Sequence, residues 1–420
     1  MILGIAKEMV TPCVLSKMAG YASRTETFKG IHDDLYVKAC LMKNETDQTF
    51  IIGFDIIQFS HILNEKIQDY LYTKYSIKKE QVVISYSHTH AGPEVKSFKQ
   101  RDNKLIYEDF LFERTKCCID KVFLNLFDGD AYYAVSTGDW NVNRRKIVDN
   151  EVIMAPNYDA IKDRDLWMLI LKDSDGDIRG IFYNYSCHPV TLSTTLFISS
   201  EYPGRINQLL EAKYYGCIAG FLQGSAGNMR PLISAKGNKF NPCSFEEVDR
   251  MALSMTAAIE SVINKAAYEK IQPVLKAVSF IIPAEIEALS KEQFEQMAQT
   301  ETSGMKERYK YVAEHYDEIK DVVDIHAGLV KLSNDLYLAY MGGEVCYEIK
   351  LIVQNVLKDK KLIFLGYNEA ITYIPSDRII QEGGYEGSRA QLMAGFKGPF
   401  KKGIDKTVEE YFRKNYESLK

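Results

Sequence analysis

Two histidines that stand two residues apart indicate where this chain performs its chemistry. His88 and His90 lie in the segment 81–93, directly after an apolar run at 82–84. The run indicates a buried strand that ends in a loop, which is where α/β folds place their chemistry. Residues two apart in an extended segment point to the same side. Both imidazoles can then face one site. One would bind a metal while the other acts as a second ligand, as a base or as a partner that orients a ligand. Alternatively, the two histidines are only a hydrogen-bonded pair in a loop.

Later strands end in similar side chains. The segment 180–184 runs into His188, and the strand at 336–340 ends shortly before Glu344. Histidines at two independent strand ends favour a metal site, because metal ligands usually come from separate elements of a rigid scaffold. Catalytic zinc sites commonly combine two histidines and one carboxylate with a position for water, so these residues predict a zinc hydrolase.

The composition excludes several classes of protein. The 420 residues carry a net charge of −5, which disfavours nucleic-acid binding through phosphate neutralisation. There is no signal peptide at the start and no apolar run of bilayer length, so we expect no transmembrane segment. The 8 cysteines form no Cys-x-x-Cys pair. Reduced thiols in a cytoplasmic protein are the simplest explanation.

The order of the predicted elements indicates an α/β fold. Strand, strand, helix and strand follow each other at the start of the chain, which is typical of a mixed sheet core flanked by helices. The charged segment 285–330 is rich in Glu, Lys, Gln and Met and is predicted to be a helical insertion. Its two histidines, His315 and His326, are interpreted as surface or hydrogen-bonded residues.

Seven motifs occur in the order that is found in one known family. They are Gly30-Ile-His-Asp-Asp-Leu-Tyr, Ser87-His-Thr-His-Ala-Gly-Pro93, Asn143-Arg144, Asn184-Tyr-Ser-Cys-His188-Pro, Gln223-Gly-Ser-Ala-Gly-Asn, Gly343-Glu344, and Asn368 to Tyr373 followed by Gly384-Tyr385-Glu-Gly. Across nearly its whole length the chain resembles the catalytic domain of the neutral/alkaline (non-lysosomal) ceramidases.

The resemblance implies one catalytic Zn²⁺ per chain and hydrolysis of a linear amide C–N bond. By this resemblance the zinc ligands are His88, His188, Glu344 and Tyr373, the base is His90, and the groups that steady the oxyanion are Arg144 and Tyr385. Tyr373 is preferred to Tyr367 because the oxyanion tyrosine of the family follows the ligand tyrosine by twelve residues, as Tyr385 does here. Iron or manganese also suits an N/O site of this kind.

The chain departs from the family in two respects. Where the ceramidases have Gly-Asp-Val-Ser-Pro-Asn, this chain has Gly224-Ser-Ala-Gly-Asn, so Gly227 replaces the family serine. Ceramidases also carry a C-terminal β-sandwich domain and usually a secretion signal, neither of which we find, so residues 1–420 are expected to form a single catalytic domain. We therefore expect a small-molecule amide or ester substrate, lipid-like or more polar, rather than ceramide itself.

Two alternatives remain open from the sequence. Ser225 follows a strand in a glycine-rich loop, as the nucleophile of a serine hydrolase does, but Gln223 occupies the first glycine position of Gly-x-Ser-x-Gly. Because Gly227 replaces the family serine, the chain is also a candidate for a non-catalytic protein that binds a metal or ligand at the same site.

Overall fold

The computed structural model describes residues 1–21, 23–58, 61–95 and 102–420, with side chains left out at 102–106. Its strands are β1 Ile2–Met9, β2 Gly30–Ile31, β3 Tyr36–Lys43, β4 Gln48–Phe54, β5 Val82–Tyr86, β6 Leu126–Thr137, β7 Asn141–Val148, β8 Glu151–Asn157, β9 Asp165–Asp173, β10 Ile178–Tyr185, β11 Phe197–Ile198, β12 Ile218–Gln223, β13 Met229–Pro231, β14 Ala235–Lys236, β15 Lys239–Phe240, β16 Glu269–Lys270, β17 Lys276–Glu285, β18 Val322–Lys331, β19 Leu336–Met341, β20 Glu344–Val345, β21 Lys361–Leu365 and β22 Tyr373–Ile374.

The α-helices are α1 His61–Tyr75, α2 Asp102–Leu124, α3 Glu201–Lys213, α4 Phe245–Asn264, α5 Lys291–Thr300, α6 Met305–Glu314, α7 Tyr347–Val356, α8 Asp377–Glu382, α9 Ala390–Ala394 and α10 Ile404–Ser418. Short 3₁₀ turns lie at Lys79–Gln81 and Leu232–Ser234, and a π-helical turn lies at Tyr385–Arg389. No helix among the described residues is both long enough and apolar enough to cross a bilayer.

Two mixed sheets form the centre of the fold. Within the described residues the larger sheet has the order β12-β10-β9-β6-β1-β3-β4-β5, with β16 paired to β6, and the smaller has the order β17-β18-β19-β21. One apolar core packs the larger sheet against α1 to α4, and a second lies between the two sheets. A third core packs the smaller sheet against α7 and α10. The predicted α/β class, with a mixed sheet core flanked by helices, is confirmed.

The predicted helical insertion is correct in its central part only. Helices α5 and α6 lie between two strands of the smaller sheet, and the Ser290 hydroxyl caps α5 by accepting a hydrogen bond from the Gln293 N–H. The end of the segment is not helical, because β18 pairs with β17 along its whole length and carries His326. The charged residues of β18 hid an alternation in which Ile325 and Ala327 are buried.

The two outer strands of the larger sheet approach each other although they lie at opposite ends of its order. The pairing between β1 and β6 is limited to residues 2–4 with 126–128, which leaves the two halves of the sheet free to fold over. The Gln223 N–H at the end of β12 donates to the Ser85 hydroxyl of β5 at 3.1 Å. The loops that follow β5 and β10 therefore come together at one edge, and these loops carry His88 and His188.

Gly227 lies where two backbone segments meet. Its N–H donates to the Val345 carbonyl oxygen at 2.8 Å. A Cβ on Gly227 would lie 2.6 Å from the carbonyl oxygen of Glu344 and 2.9 Å from the Cys346 nitrogen. Since both contacts are with backbone atoms, no side-chain rotation relieves them. The backbone around position 227 therefore leaves no room for a side chain in this chain.

We expect Gly227→Ser to lower the free energy of unfolding by about 1 to 3 kcal/mol, because the added Cβ pushes β20 away from the loop. Urea unfolding of the purified variant measures the change. Gly304→Ser is the matched control, since a Cβ at Gly304 meets nothing within 4 Å. Equal stabilities of the two variants would contradict the steric explanation.

Candidate metal centre

His88 is held at the end of β5 with one ring nitrogen free. All residues of β5 are buried, and the backbone of His88 turns out of the strand with φ of 64°. Its Nδ1–H donates to the Ile57 carbonyl oxygen at 2.9 Å. Because a carbonyl only accepts hydrogen bonds, this contact places the proton on Nδ1 and leaves the lone pair on Nε2 available for a metal.

His188 is arranged in the same way after β10. Its Nδ1–H donates to the Ala226 carbonyl oxygen at 2.7 Å, so Nε2 again carries the lone pair. The Tyr202 hydroxyl holds the preceding residue by donating to the Cys187 carbonyl oxygen at 2.7 Å. Burial lowers the pKa of His188 to about 4, so the imidazole is neutral at physiological pH.

Glu344 connects the two histidines. Its Oε2 lies 2.9 Å from His188 Nε2 and 3.4 Å from His88 Nε2. Burial by itself would raise the pKa of Glu344, but the neighbouring imidazoles of His88 and His188 hold it well below its usual value. Two imidazole lone pairs and one carboxylate oxygen therefore converge on a point in the interior.

His90 lies beside this point without a fixed partner. Within the described residues, neither of its buried ring nitrogens has a hydrogen-bond partner. Its backbone is fixed, because Arg24 Nη2 donates to the His90 carbonyl oxygen at 2.6 Å. Gly20, at φ of +95°, makes room for the ring, since a Cβ there would lie 2.3 Å from His90 Nδ1. Burial lowers the pKa of His90 well below its usual value, and the proximity of the His88 and His188 rings acts in the same direction.

Two tyrosines approach His188 rather than one. The Tyr373 hydroxyl lies 3.4 Å from His188 Nε2, and the Tyr367 hydroxyl lies 3.3 Å from both ring nitrogens. Tyr373 is in register with Glu344 in the parallel pairing of β22 with β20. Burial raises the pKa of both phenols well above the usual value. The sequence argument set Tyr367 aside, yet the structure places it in the same site.

The two groups predicted to steady an oxyanion also lie here. The Arg144 guanidinium stands over the Tyr373 ring at 5.1 Å and over the Tyr385 ring at 5.8 Å. Arg144 Nε donates to Glu386 Oε1 at 2.7 Å, and Arg145 Nη1 donates to Glu386 Oε2 at the same distance. In the described part of the chain Arg144 Nη2 is buried without a partner.

The donor set fits a metal ion. The ligand atoms of His88, His90 and His188 lie within 4.8 Å of one another, so His90 is close enough to be a ligand as well as a base. The orphaned nitrogens of buried His90 indicate that the site takes a further group, since buried polar atoms are normally hydrogen-bonded. Imidazole and carboxylate ligands suit zinc, and also iron or manganese.

Ser225 lies in a different network. Its hydroxyl is 3.3 Å from that of Ser186, which donates to Asp163 Oδ2 at 2.6 Å. Lys350 Nζ donates to the same carboxylate oxygen at 2.6 Å. These contacts connect Ser225 to a buried ion pair and not to a histidine base, so they do not support a serine hydrolase.

Sequence reasoning missed the roles of two residues in the motifs that it quoted. Glu386, which follows Tyr385, binds both arginines, and a carboxylate between Gly384 and Gly387 was a usable signal. Gln223 donates through Nε2 to the carbonyl oxygens of Ser87 at 2.9 Å and Cys187 at 3.0 Å. No local sequence pattern reveals these two hydrogen bonds of Gln223, because they join segments that are distant in sequence.

Similarity to known proteins agrees with this architecture. Two curated proteins, the neutral ceramidases of Drosophila pseudoobscura pseudoobscura and Drosophila melanogaster, are each 23% identical over 231 residues, which is 50% of this chain and 32% of each relative. The chain thus matches about a third of the length of these relatives.

Solved structures match nearly the whole chain. Neutral ceramidase from Pseudomonas aeruginosa superimposes with a TM-score of 0.77 at 17% identity, covering 98% of this chain and 73% of that chain. A ceramidase complexed with C2 gives a TM-score of 0.75 at 17% identity, with 98% and 74% covered. At this identity the likeness shows a shared fold.

A family model supplies the assignment that the fold alone does not. The model of the neutral/alkaline non-lysosomal ceramidase N-terminal region matches residues 2–312. This match covers most of the 420 residues and includes both histidine loops. The chain therefore belongs to the neutral/alkaline non-lysosomal ceramidase family.

Proposed function

We propose that the protein is a zinc-dependent hydrolase that cleaves an amide or ester bond. The observation that carries this proposal is the convergence of His88 Nε2 and His188 Nε2 on Glu344 Oε2, with the unpartnered ring of His90 beside them. Zinc held by such residues activates water and polarises a carbonyl group. Membership of the ceramidase family and the shared fold support the same class of reaction.

The chain's own residues supply the remaining functions. His88, His188 and Glu344 hold the metal, with Tyr373 as the fourth ligand. His90 accepts the proton of the attacking water and returns it to the leaving nitrogen or oxygen. Arg144 and Tyr385 donate hydrogen bonds to the carbonyl oxygen, where negative charge develops. The orphaned Nη2 of Arg144 supports this role, because it leaves one donor free for substrate.

The proposed substrate is a small-molecule amide with a linear C–N bond, or an ester. The relatives are named as ceramidases, which supports an acylated amine. The crowded backbone around Gly227 supports a substrate other than ceramide, because a serine side chain has no room there. The same crowding gives a steric reason for the glycine that does not depend on a loss of catalysis.

We expect the purified protein to contain about one zinc ion per chain and His188→Ala to contain almost none, because the variant loses a ligand from an interior site. Plasma emission on protein prepared without added metal or chelator measures the content. His88→Ala and Glu344→Ala should behave like His188→Ala. His315→Ala is the control, since that half-buried ring lies outside the candidate centre and is hydrogen-bonded to the Tyr311 carbonyl oxygen. Full metal content in the ligand variants would overturn the assignment.

His90→Ala separates a base from a ligand. We expect this variant to retain its metal and to lose about 10²- to 10⁴-fold in kcat, because a positioned base contributes that much. Metal content and steady-state hydrolysis of an amide panel are measured on the same preparation. A parallel loss of metal and activity would instead make His90 a ligand, which its distance from the other rings allows.

A further inference from the structure

Arg230 lies on the same side of a β-ribbon as Arg144. Strand β13 pairs antiparallel with β7, which places Arg230 opposite Val142. Cross-strand partners share a face, and residues two apart in a strand do too, so Arg230 is the diagonal neighbour of Arg144. The register shift of this ribbon occurs in the pairing of β7 with β8, where the extra residue belongs to β8.

The position of Arg230 is tied to the candidate metal centre. The carbonyl oxygen of the preceding residue, Met229, accepts a hydrogen bond from the His188 N–H at 3.4 Å. The pKa of Arg230 is lowered, chiefly by burial, and the positive charge of Arg144 lowers it further while the phenol of Tyr373 opposes this change. Both neighbours belong to the wall of the site described above.

Among the described residues no carboxylate is in direct contact with the Arg230 guanidinium, although the negative charge of Glu201 acts on it from further away. Its guanidinium carbon lies 4.6 Å above the Phe240 ring, and Nη1 is 3.8 Å from the Met154 sulfur. In the described part of the chain Nε is buried without a partner, and no carboxylate oxygen lies within 4.0 Å of the group. Arg144, by contrast, is paired with Glu386. The residue as a whole is half-buried, but a buried N–H donor without a partner is costly, so the Nε of Arg230 is available to an anion.

We propose that Arg230 binds a carboxylate of the substrate, and that the substrate is an N-acyl amino acid. This inference rests on the proposed hydrolase function and names its substrate class. A planar guanidinium matches a carboxylate in shape and charge. A single guanidinium without an ion-pair partner suits a monoanion better than a phosphate dianion, because the neighbouring Arg144 is already engaged with the Glu386 carboxylate that it shares with Arg145. Ceramide carries no anionic group for Arg230 to bind.

The reaction is a balanced hydrolysis. Water attacks the acyl carbon, the C–N bond breaks, and the hydroxyl remains on the acyl group while a proton passes to the nitrogen. The products are a fatty acid and a free amino acid. The carboxylate of the amino acid takes no part in bond breaking, so Arg230 is a residue for binding and specificity. Its loss should therefore raise KM and leave kcat nearly unchanged.

The test compares N-lauroylglycine with N-lauroylethanolamine, which differ only in a carboxylate against a hydroxymethyl group. The metal-loaded wild type should prefer N-lauroylglycine in kcat/KM. Arg230→Gln should lose about 10- to 100-fold on N-lauroylglycine through KM and stay within about twofold on the neutral amide, because only the anion uses the charged hydrogen bond. Arg179→Gln is the matched control, since that arginine is exposed and pairs with Asp173. An equal loss on both substrates would overturn the inference.

Calorimetric binding separates this inference from the proposed function. The ligand is the analogue of N-lauroylglycine in which a methylene replaces the amide N–H, so that it cannot be hydrolysed. Binding that Arg230→Gln weakens, without hydrolysis of either amide, would retain the carboxylate site and reject the hydrolase. Hydrolysis of both amides with no dependence on Arg230 would retain the hydrolase and reject the carboxylate site. Equal binding by wild type and Arg230→Gln would also reject it.

Discussion

The candidate centre depends on one amide side chain that joins the two ends of a sheet. Gln223 Nε2 donates to the carbonyl oxygens of Ser87 and Cys187, each the residue directly before a histidine of the centre. Gln223 Oε1 accepts from the Gly224 N–H at 3.1 Å, so the amide is used on both sides. A fully satisfied buried amide has little freedom to move. The spacing between the two histidine loops is therefore set before any ligand arrives.

Several buried charges around the centre are balanced by ion pairs with other protein groups. The Glu386 carboxylate neutralises part of the positive charge of Arg144 and Arg145, and the Asp163 carboxylate forms an ion pair with the ammonium group of Lys350. Breaking such a pair leaves a buried charge uncompensated, so these ion pairs resist movement of the residues that form them. Against this background the guanidinium of Arg230 is informative, because its Nε is buried without a partner among the described residues.

The sequence predicted the parts of the fold that depend on local pattern and failed where distant segments meet. Strand ends carrying His88 and His188 were visible from apolar runs, and the α/β class followed from the order of elements. The approach of the outer strands of the larger sheet was not visible, because sheet order and curvature depend on non-local pairing. For the same reason the sequence marked Gly227 as unusual but did not reveal the backbone of residues 344–346 that lies against it.

The choice between the two tyrosines shows what geometry adds to spacing. The Tyr367 hydroxyl is equally far from Nδ1 and Nε2 of His188, so it lies off the direction of the Nε2 lone pair. The Tyr373 hydroxyl is close to Nε2 alone and lies under the Arg144 guanidinium. Burial raises the pKa of both phenols, and the positive charge of Arg144 acts against this rise for both, so charge does not separate the two tyrosines. Spacing selected Tyr373 by resemblance, and the contact of its hydroxyl with Nε2 alone supplies an independent geometric reason to propose the same ligand.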